Sequence, residues 1–351
     1  MKKLNLLYLF ILNLLLISCG SNSGKKKSDF SLFTETEKNE FQLGESVQLK
    51  IRNIKNRQID SAALYFQEKY ITSSKGEPSL QLQLQNFKLG NHVARAIVFS
   101  EGETDTITLP VKIYNNIPPT VYTYRIINTY PHDQTAYTQG LEFYRDTLYE
   151  STGQYGSSTL RKTNFETGEV LQQAELADKY FGEGLSILND KIYQLTWNEG
   201  EGLIYDVTTL ERQGSFKFNN SKEGWGLCND GHQFYKSDGT EKIWILNGKT
   251  LVEETFIQPT THRSVSTQLN ELEWVEGMIY ANTYQKDGVA IINPENGAIE
   301  GLINFQGLRE KVTQHANLDV LNGIAYNPNT KKLYVTGKNW DKLFEVEIVE
   351  R

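Results

Sequence analysis

Residues Phe181 to Asp206 read FGEGLSILNDKIYQLTWNEGEGLIYD. Gly184-Leu185-Ser186-Ile187, Lys191-Ile192-Tyr193-Gln194-Leu195 and Gly202-Leu203-Ile204-Tyr205-Asp206 are short apolar runs, with Asp190 marking a hairpin turn between the first two. Runs of this length, rich in β-branched and aromatic residues and bounded by turn formers, predict strands joined as hairpins. Glu183 stands between two glycines, poor helix material because glycine loses more backbone entropy on ordering than any other residue. The Gly-Glu-Gly step predicts a tight corner that delivers the carboxylate to a strand start.

The same unit recurs on both sides. Gly140-Leu141-Glu142-Phe143, Gly226-Leu227-Cys228, Glu271-Leu272-Glu273-Trp274 and Gly323-Ile324-Ala325-Tyr326 each open a further unit. A second and a third apolar run follow each opening. Openings near 140, 184, 226, 271 and 323 give a period of about 40–50 residues, the mark of a β-propeller with several short strands per blade. The last unit stops at Arg351 without an outer strand, while Val121 to Tyr130 forms an alternating run ahead of the first. Pairing that run as the outer strand of the last blade closes a ring of five blades and removes an open edge. A stacked solenoid is the alternative, but it leaves apolar ends without caps.

Residues 30–116 have period two, as in Val47, Leu49 and Ile51 or Leu80, Leu82 and Leu84. Turns at Gly44, Gly76-Glu77-Pro78, Leu89-Gly90-Asn91 and Glu101-Gly102-Glu103 break this stretch into about seven strands, a small immunoglobulin-like β-sandwich by its spacing. Ile117-Pro118-Pro119 is a stiff linker (117–119), because each proline fixes its own φ and restricts the residue before it. The repeats occupy 120–351. The fold class expected is therefore all-β: a five-bladed β-propeller preceded by the sandwich. Aromatic residues make up 11% of the 351 residues, Gly numbers 27 and Pro only 8, a balance that suits strands and turns.

The first 19 residues read as an export signal. Lys2 and Lys3 precede an apolar core from Leu4 to Ile17, and Leu16-Ile17-Ser18-Cys19-Gly20 resembles a bacterial lipoprotein cleavage box. The expectation is an exported bacterial lipoprotein, held by lipid on Cys19 to a bilayer at the periplasmic face or cell surface, with 20–29 as a flexible tether. An ordinary secretory signal with an incidental cysteine is the alternative. Cys19 and Cys228 are the only cysteines, so a disulfide framework is excluded once Cys19 is acylated. A net charge of −7 without a basic stripe excludes nucleic acid as partner. A monomer is expected.

In a propeller the segments leading into the inner strands meet at one mouth of the channel. Those segments carry Tyr137, Gln139, Phe181, Glu183, Trp225, Asn270 and Asn322, and Trp197, Tyr284 and Lys338 follow the middle strands. One carboxylate and one lysine among amides and rings make an aromatic-walled pocket for a small ligand. The five histidines show no His-x-His or His-Glu-x-x-His spacing and no pairing with cysteine, so neither a metal nor a cofactor is expected. No Gly-x-Ser-x-Gly elbow or phosphate-binding loop is present.

These segments resemble the plant and bacterial glutaminyl-peptide cyclotransferases. The resemblance lies in Tyr137-Thr138-Gln139-Gly140-Leu141, Tyr149 to Gly156, Phe181 to Leu185, Leu195-Thr196-Trp197, Glu223 to Leu227, Leu269 to Glu273, Leu321 to Ala325 and Val335 to Trp340. It runs from about Thr120 to Glu347, in order, across every unit. It implies a five-bladed propeller that turns the N-terminal glutamine of peptides into pyroglutamate with loss of ammonia and without a metal. By motif, Glu183 is the catalytic acid/base, Gln139, Asn270 and Lys338 are polar site residues, and Tyr137, Phe181, Trp197 and Trp225 form the wall. Tyr284 stands where the family commonly has Trp, and Tyr137 where it commonly has Phe. A non-catalytic propeller that presents a peptide- or partner-binding disc is the competing reading. A lactonase-type hydrolase would want a carboxylate-rich calcium site that these strand starts, mainly amides and rings, do not offer.

Overall fold

The computed structural model describes residues 28–76 and 79–351. The expected signal, Cys19, nearly all of the tether, and Glu77-Pro78 of one expected turn lie outside the described residues. Those residues form strands and loops with no α-helix and one short 3-10 turn at Arg309–Lys311.

The N-terminal part has eight strands: β1 (Phe30–Thr34), β2 (Glu40–Gln42), β3 (Ser46–Asn53), β4 (Ser61–Phe66), β5 (Lys69–Lys75), β6 (Ser79–Gln83), β7 (Gly90–Ser100) and β8 (Glu103–Tyr114). They make a three-stranded sheet, β1-β3-β6, and a five-stranded sheet, β2-β8-β7-β4-β5. Alternation sets which face is inside. Leu80 and Leu82 are buried while Ser79, Gln81 and Gln83 are exposed. Leu49, Leu80 and Leu82 from one sheet share a core with Leu64, Phe66, Ala96 and Val98 from the other. This unit is seated on the rest of the chain. Leu89 N donates to Asn296 O (2.9 Å), Lys88 Nζ to Phe256 O (3.0 Å), and Ala298 joins its core.

After β9 (Thr120–Pro131) come three four-stranded antiparallel sheets. They are β10 to β13 (Thr138–Tyr144, Thr147–Thr152, Thr159–Thr163, Val170–Glu175), β14 to β17 (Gly182–Leu188, Lys191–Thr196, Glu201–Asp206, Arg212–Lys217) and β18 to β21 (Leu227–Asn229, Gln233–Ser237, Ile243–Asn247, Glu253–Ile257). Strands β22 to β25 (Leu269–Val275, Met278–Thr283, Gly288–Ile292, Ile299–Asn304) form a fourth meander, and β26 to β28 (Leu321–Asn327, Lys332–Gly337, Lys342–Glu350) a fifth of only three. β9 takes the missing fourth place, antiparallel to β28 from Pro131 opposite Lys342 to Tyr122 opposite Glu350. Its first residues also pair parallel with β25, so the last two groups run together as one eight-stranded sheet. That second pairing goes beyond the sequence expectation. It satisfies backbone groups at an edge that would otherwise be open.

The first strands close a cycle: β10 packs on β14, β14 on β18, β18 on β22, β22 on β26, and β26 on β10. The glycines at their starts make this approach possible. A Cβ on Gly184 would stand 2.6 Å from Leu227 N, and one on Gly226 would stand 2.0 Å from Asn270 O. The Gly-Glu-Gly step is therefore not a corner. It lies within strand β14, and close packing of strand on strand is what requires its second glycine. Carboxylates add stitches between first strands. Glu142 accepts from Ile187 N, Glu271 from Ile324 N and Glu273 from Tyr326 N.

Candidate active site

Four first strands carry a register irregularity at the same place. Pairing skips between Thr138 and Gly140, between Gly182 and Leu185, between Leu269 and Leu272, and between Leu321 and Ile324. A bulge breaks the alternation of the strand and re-aims the side chains inside it. Each bulge begins with a polar residue: Gln139, Glu183, Asn270 and Asn322. The repeated strand start thus places a polar side chain of each of four units at the same point of its first strand.

A cavity of about 250 Å³ lies there. It is lined by Tyr137, Gln139, Phe181, Glu183, Trp197, Trp225, Asn270, Tyr284 and Lys338, so nine of the ten residues singled out in the sequence for the pocket meet in it, all but Asn322. Gln154 also lines it. Asn322 sits behind the wall, where its Nδ2 donates to Thr138 O (2.9 Å) and to Gln139 Oε1 (3.2 Å). Gln139 Nε2 in turn donates to Glu183 Oε1 (2.9 Å).

Glu183 is 5% exposed. Burial raises its carboxyl well above the ordinary range against the pull of Lys338, and the charges of Glu223 and Glu199 add to the rise. Its backbone is fixed as well: Ser151 Oγ donates to Glu183 O (2.5 Å), and Gln194 Nε2 donates to Ser151 Oγ (2.7 Å). Lys338 makes no salt bridge among the described residues. Its Nζ lies 4.7 Å from the centre of the Tyr137 ring and 5.6 Å from that of Tyr284, a cation held by ring faces. Burial lowers its pKa, opposed by Glu183 and Asp319. Asn270 Oδ1 is buried with no hydrogen-bond partner among the described residues.

The rings are anchored by carboxylates outside the cavity lining. Glu223 Oε2 accepts from both indoles, Trp197 Nε1 at 2.8 Å and Trp225 Nε1 at 2.9 Å. Asp319 Oδ2 accepts from the Tyr137 hydroxyl at 2.9 Å. Phe181 meets Tyr137, Tyr155 and Trp197 edge-on, and Trp225 meets Tyr284 in the same way. Sequence reasoning missed Glu223, Asp319 and Gln154 as site residues. Gln154 had a signal, because it follows the middle strand of its unit as Trp197, Tyr284 and Lys338 follow theirs. Asp319 had none, since its partner Tyr137 lies far away in sequence; Glu223 stands two residues before one of its partners, Trp225, in a segment already singled out, but its other partner, Trp197, comes from the preceding unit. Among the described residues, no group of three or more His, Cys, Asp or Glu side chains is placed to hold a metal ion.

Comparison with known proteins identifies the family. A family model described as glutamine cyclotransferase matches residues 100–348. A curated glutaminyl-peptide cyclotransferase of Arabidopsis thaliana is 38% identical over 227 residues, which is 64% of this chain and 70% of that protein. The crystal structure of Myxococcus xanthus glutaminyl cyclase is similar with a TM-score of 0.62 and 31% identity, over 66% of this chain and 99% of that one.

Proposed function

The chain belongs to the glutamine cyclotransferase family, and from that premise we propose that it converts the N-terminal glutamine of peptides into pyroglutamate with release of ammonia. The observation that carries the reading is the pairing of Gln139 with a buried Glu183, opposite Lys338, inside a cavity walled by rings. The substrate brings both reactants. Its α-nitrogen attacks its own γ-carbonyl carbon, the new C–N bond closes a five-membered ring, and the bond to the amide nitrogen breaks. One proton leaves the α-amine and one joins the departing ammonia. The pocket's first task is to fold the side chain back, and good orientation of an intramolecular attack is worth on the order of 7–11 kcal/mol.

Glu183 is the group proposed to move the proton, taking it from the amine as the ring closes and giving it to the leaving nitrogen. A free α-amine titrates at about 7.7–8.0. A carboxyl held well above its ordinary range by burial exchanges protons with it more readily than an ordinary one. Lys338 supplies positive charge for the oxygen of the γ-carbonyl as it becomes an oxyanion. Asn270 Oδ1, with no hydrogen-bond partner among the described residues, is an acceptor for the substrate's N–H groups. Tyr137, Phe181, Trp197, Trp225 and Tyr284 surround the methylenes of the glutamine and exclude water.

The closed cycle of five strand groups supports a five-bladed β-propeller over 120–351, and the two facing sheets support an immunoglobulin-like sandwich over 30–116. The leader sequence supports export and lipid anchoring through Cys19. With Cys19→Ala the protein should move from the membrane to the soluble fraction, and unchanged fractionation would reject the anchor. For the reaction, mass spectrometry of a Gln-initiated peptide should show the loss of one ammonia. Binding of that peptide without the mass change would leave a recognition module instead, and turnover of a lactone control would point to a hydrolase.

A further inference from the structure

The cavity that holds Glu183 has room for one glutamine residue, and a peptide substrate must continue out of it. A larger groove of about 740 Å³ opens beside it, and Tyr137 and Gln154 line both. The two spaces therefore share a wall at the rim. The groove is bounded by the loop that follows β11 and the loop that follows β13, at the end of the strands where Glu183 lies. An extended chain advances about 3.3–3.6 Å per residue, so the second and third residues of a bound peptide reach it.

The charge of the groove is one-sided. Among the described residues that line it, the one cationic side chain, Arg161, is taken up by Asp133 (2.7 Å) and by Thr159 Oγ1 (2.7 Å). Glu175 and Asp178 also line it, both are exposed, and neither has an ion-pair or hydrogen-bond partner among the described residues. Two uncompensated carboxylates face a space that continues the pocket.

We propose that this groove holds the peptide chain after the N-terminal glutamine, and that Glu175 and Asp178 favour a cationic side chain at the second or third residue. The inference rests on the cyclisation reading and names its substrate class. Solvent-exposed charge pairs of this kind change a rate constant about two- to fivefold each. A lysine peptide and a glutamate peptide should thus differ roughly tenfold in kcat/KM at low salt. The difference should shrink as salt screens it, since the screening length is only about 10 Å at 0.1 M.

The test compares tetrapeptide amides that begin with Gln and carry Lys, Ala or Glu at position two or three, at low and high salt. Wild-type protein is set against Glu175→Gln/Asp178→Asn. Ratios are taken within one preparation, so any unfolded fraction cancels. Preference in the order Lys, Ala, Glu, compressed by salt and by the double variant, is the expected result. Equal turnover of all three, or a preference that the double variant leaves intact, overturns the groove assignment and leaves the cyclase reading standing. No ammonia release from any peptide overturns the reading beneath it, and the assignment with it.

Discussion

Glu183→Gln should stabilise the protein at neutral pH while abolishing most of its activity. The substitution keeps the side chain's size, and its amide oxygen can still accept the hydrogen bond from Gln139 Nε2. The pocket should therefore survive, and what is lost is the ability to take and give a proton. General acid–base catalysis is worth on the order of 10²–10⁴-fold, or about 2.7–5.5 kcal/mol of barrier. That is the expected fall in kcat. KM should stay within about fivefold, since a neutral hydrogen bond replaces a charged one at a cost near 1 kcal/mol. Stability moves the other way. Burial holds the folded carboxyl above its ordinary range, so the folded protein keeps a proton that the unfolded chain has already released. Stability then falls as pH rises from the unfolded value of about 4.3 through the folded one. A side chain that is neutral at every pH escapes that penalty. The variant should melt higher than wild type at pH 8, with the gap closing toward pH 4. For a domain of this size each kcal/mol is about 2–4 °C in Tm. Ammonia release and thermal melting at the two pH values decide it. Near wild-type kcat would refute the role, and lost activity with a lower Tm at pH 8 would mean a collapsed pocket instead of a missing proton carrier.

Glu223→Gln keeps one acceptor oxygen for the two indoles but removes its charge. KM for a Gln peptide should rise about three- to tenfold, in line with weakening two charge-assisted hydrogen bonds by a total of about 1 kcal/mol. Because the Glu223 charge helps to raise Glu183, the acidic limb of the kcat–pH profile should also move to lower pH, and an unmoved limb would refute that coupling. Lys236→Met tests a different element. The Lys236–Glu253 pair is fully buried at 3.1 Å, and the lysine also holds Glu223 O at 2.8 Å. Leaving Glu253 unpaired should cost about 3–5 kcal/mol, roughly 6–20 °C in Tm. The Lys236→Met/Glu253→Gln double variant should recover part of that loss, and a single variant melting like wild type would show that the pair is not stabilising.

The strand pattern was legible because alternation and turn residues are local properties. Leu80-Gln81-Leu82 declares its buried face without any knowledge of the opposite sheet. The pocket was legible for a related reason: its residues stand at the same place in every unit, so the repeat itself aligns them. Features made by distant partners were hidden. Trp225 stands two residues from Glu223, but nothing nearby in sequence says that the same oxygen will also hold the indole of Trp197. The second glycine of Gly182-Glu183-Gly184 looked like a turn former, whereas the requirement comes from Leu227 N and Trp225 O of the next unit. β2 is only three residues long and pairs parallel with β8, too short a stretch to show any period. The double pairing of β9 was half visible, since the edge of β25 that it also meets is not marked by any residue type.

Seating β9 beside β28 has a consequence for how the molecule is made. The ribosome delivers β9 early, and its first neighbour, β25, and its second, β28, follow only after three whole sheets have been made. The N-terminal unit needs no such delay, because all eight of its strands are already out. The cycle of first strands is therefore clasped last, by β28, and a nonsense codon just upstream of Lys342 would forfeit that clasp although every residue lining the pocket would still have been translated.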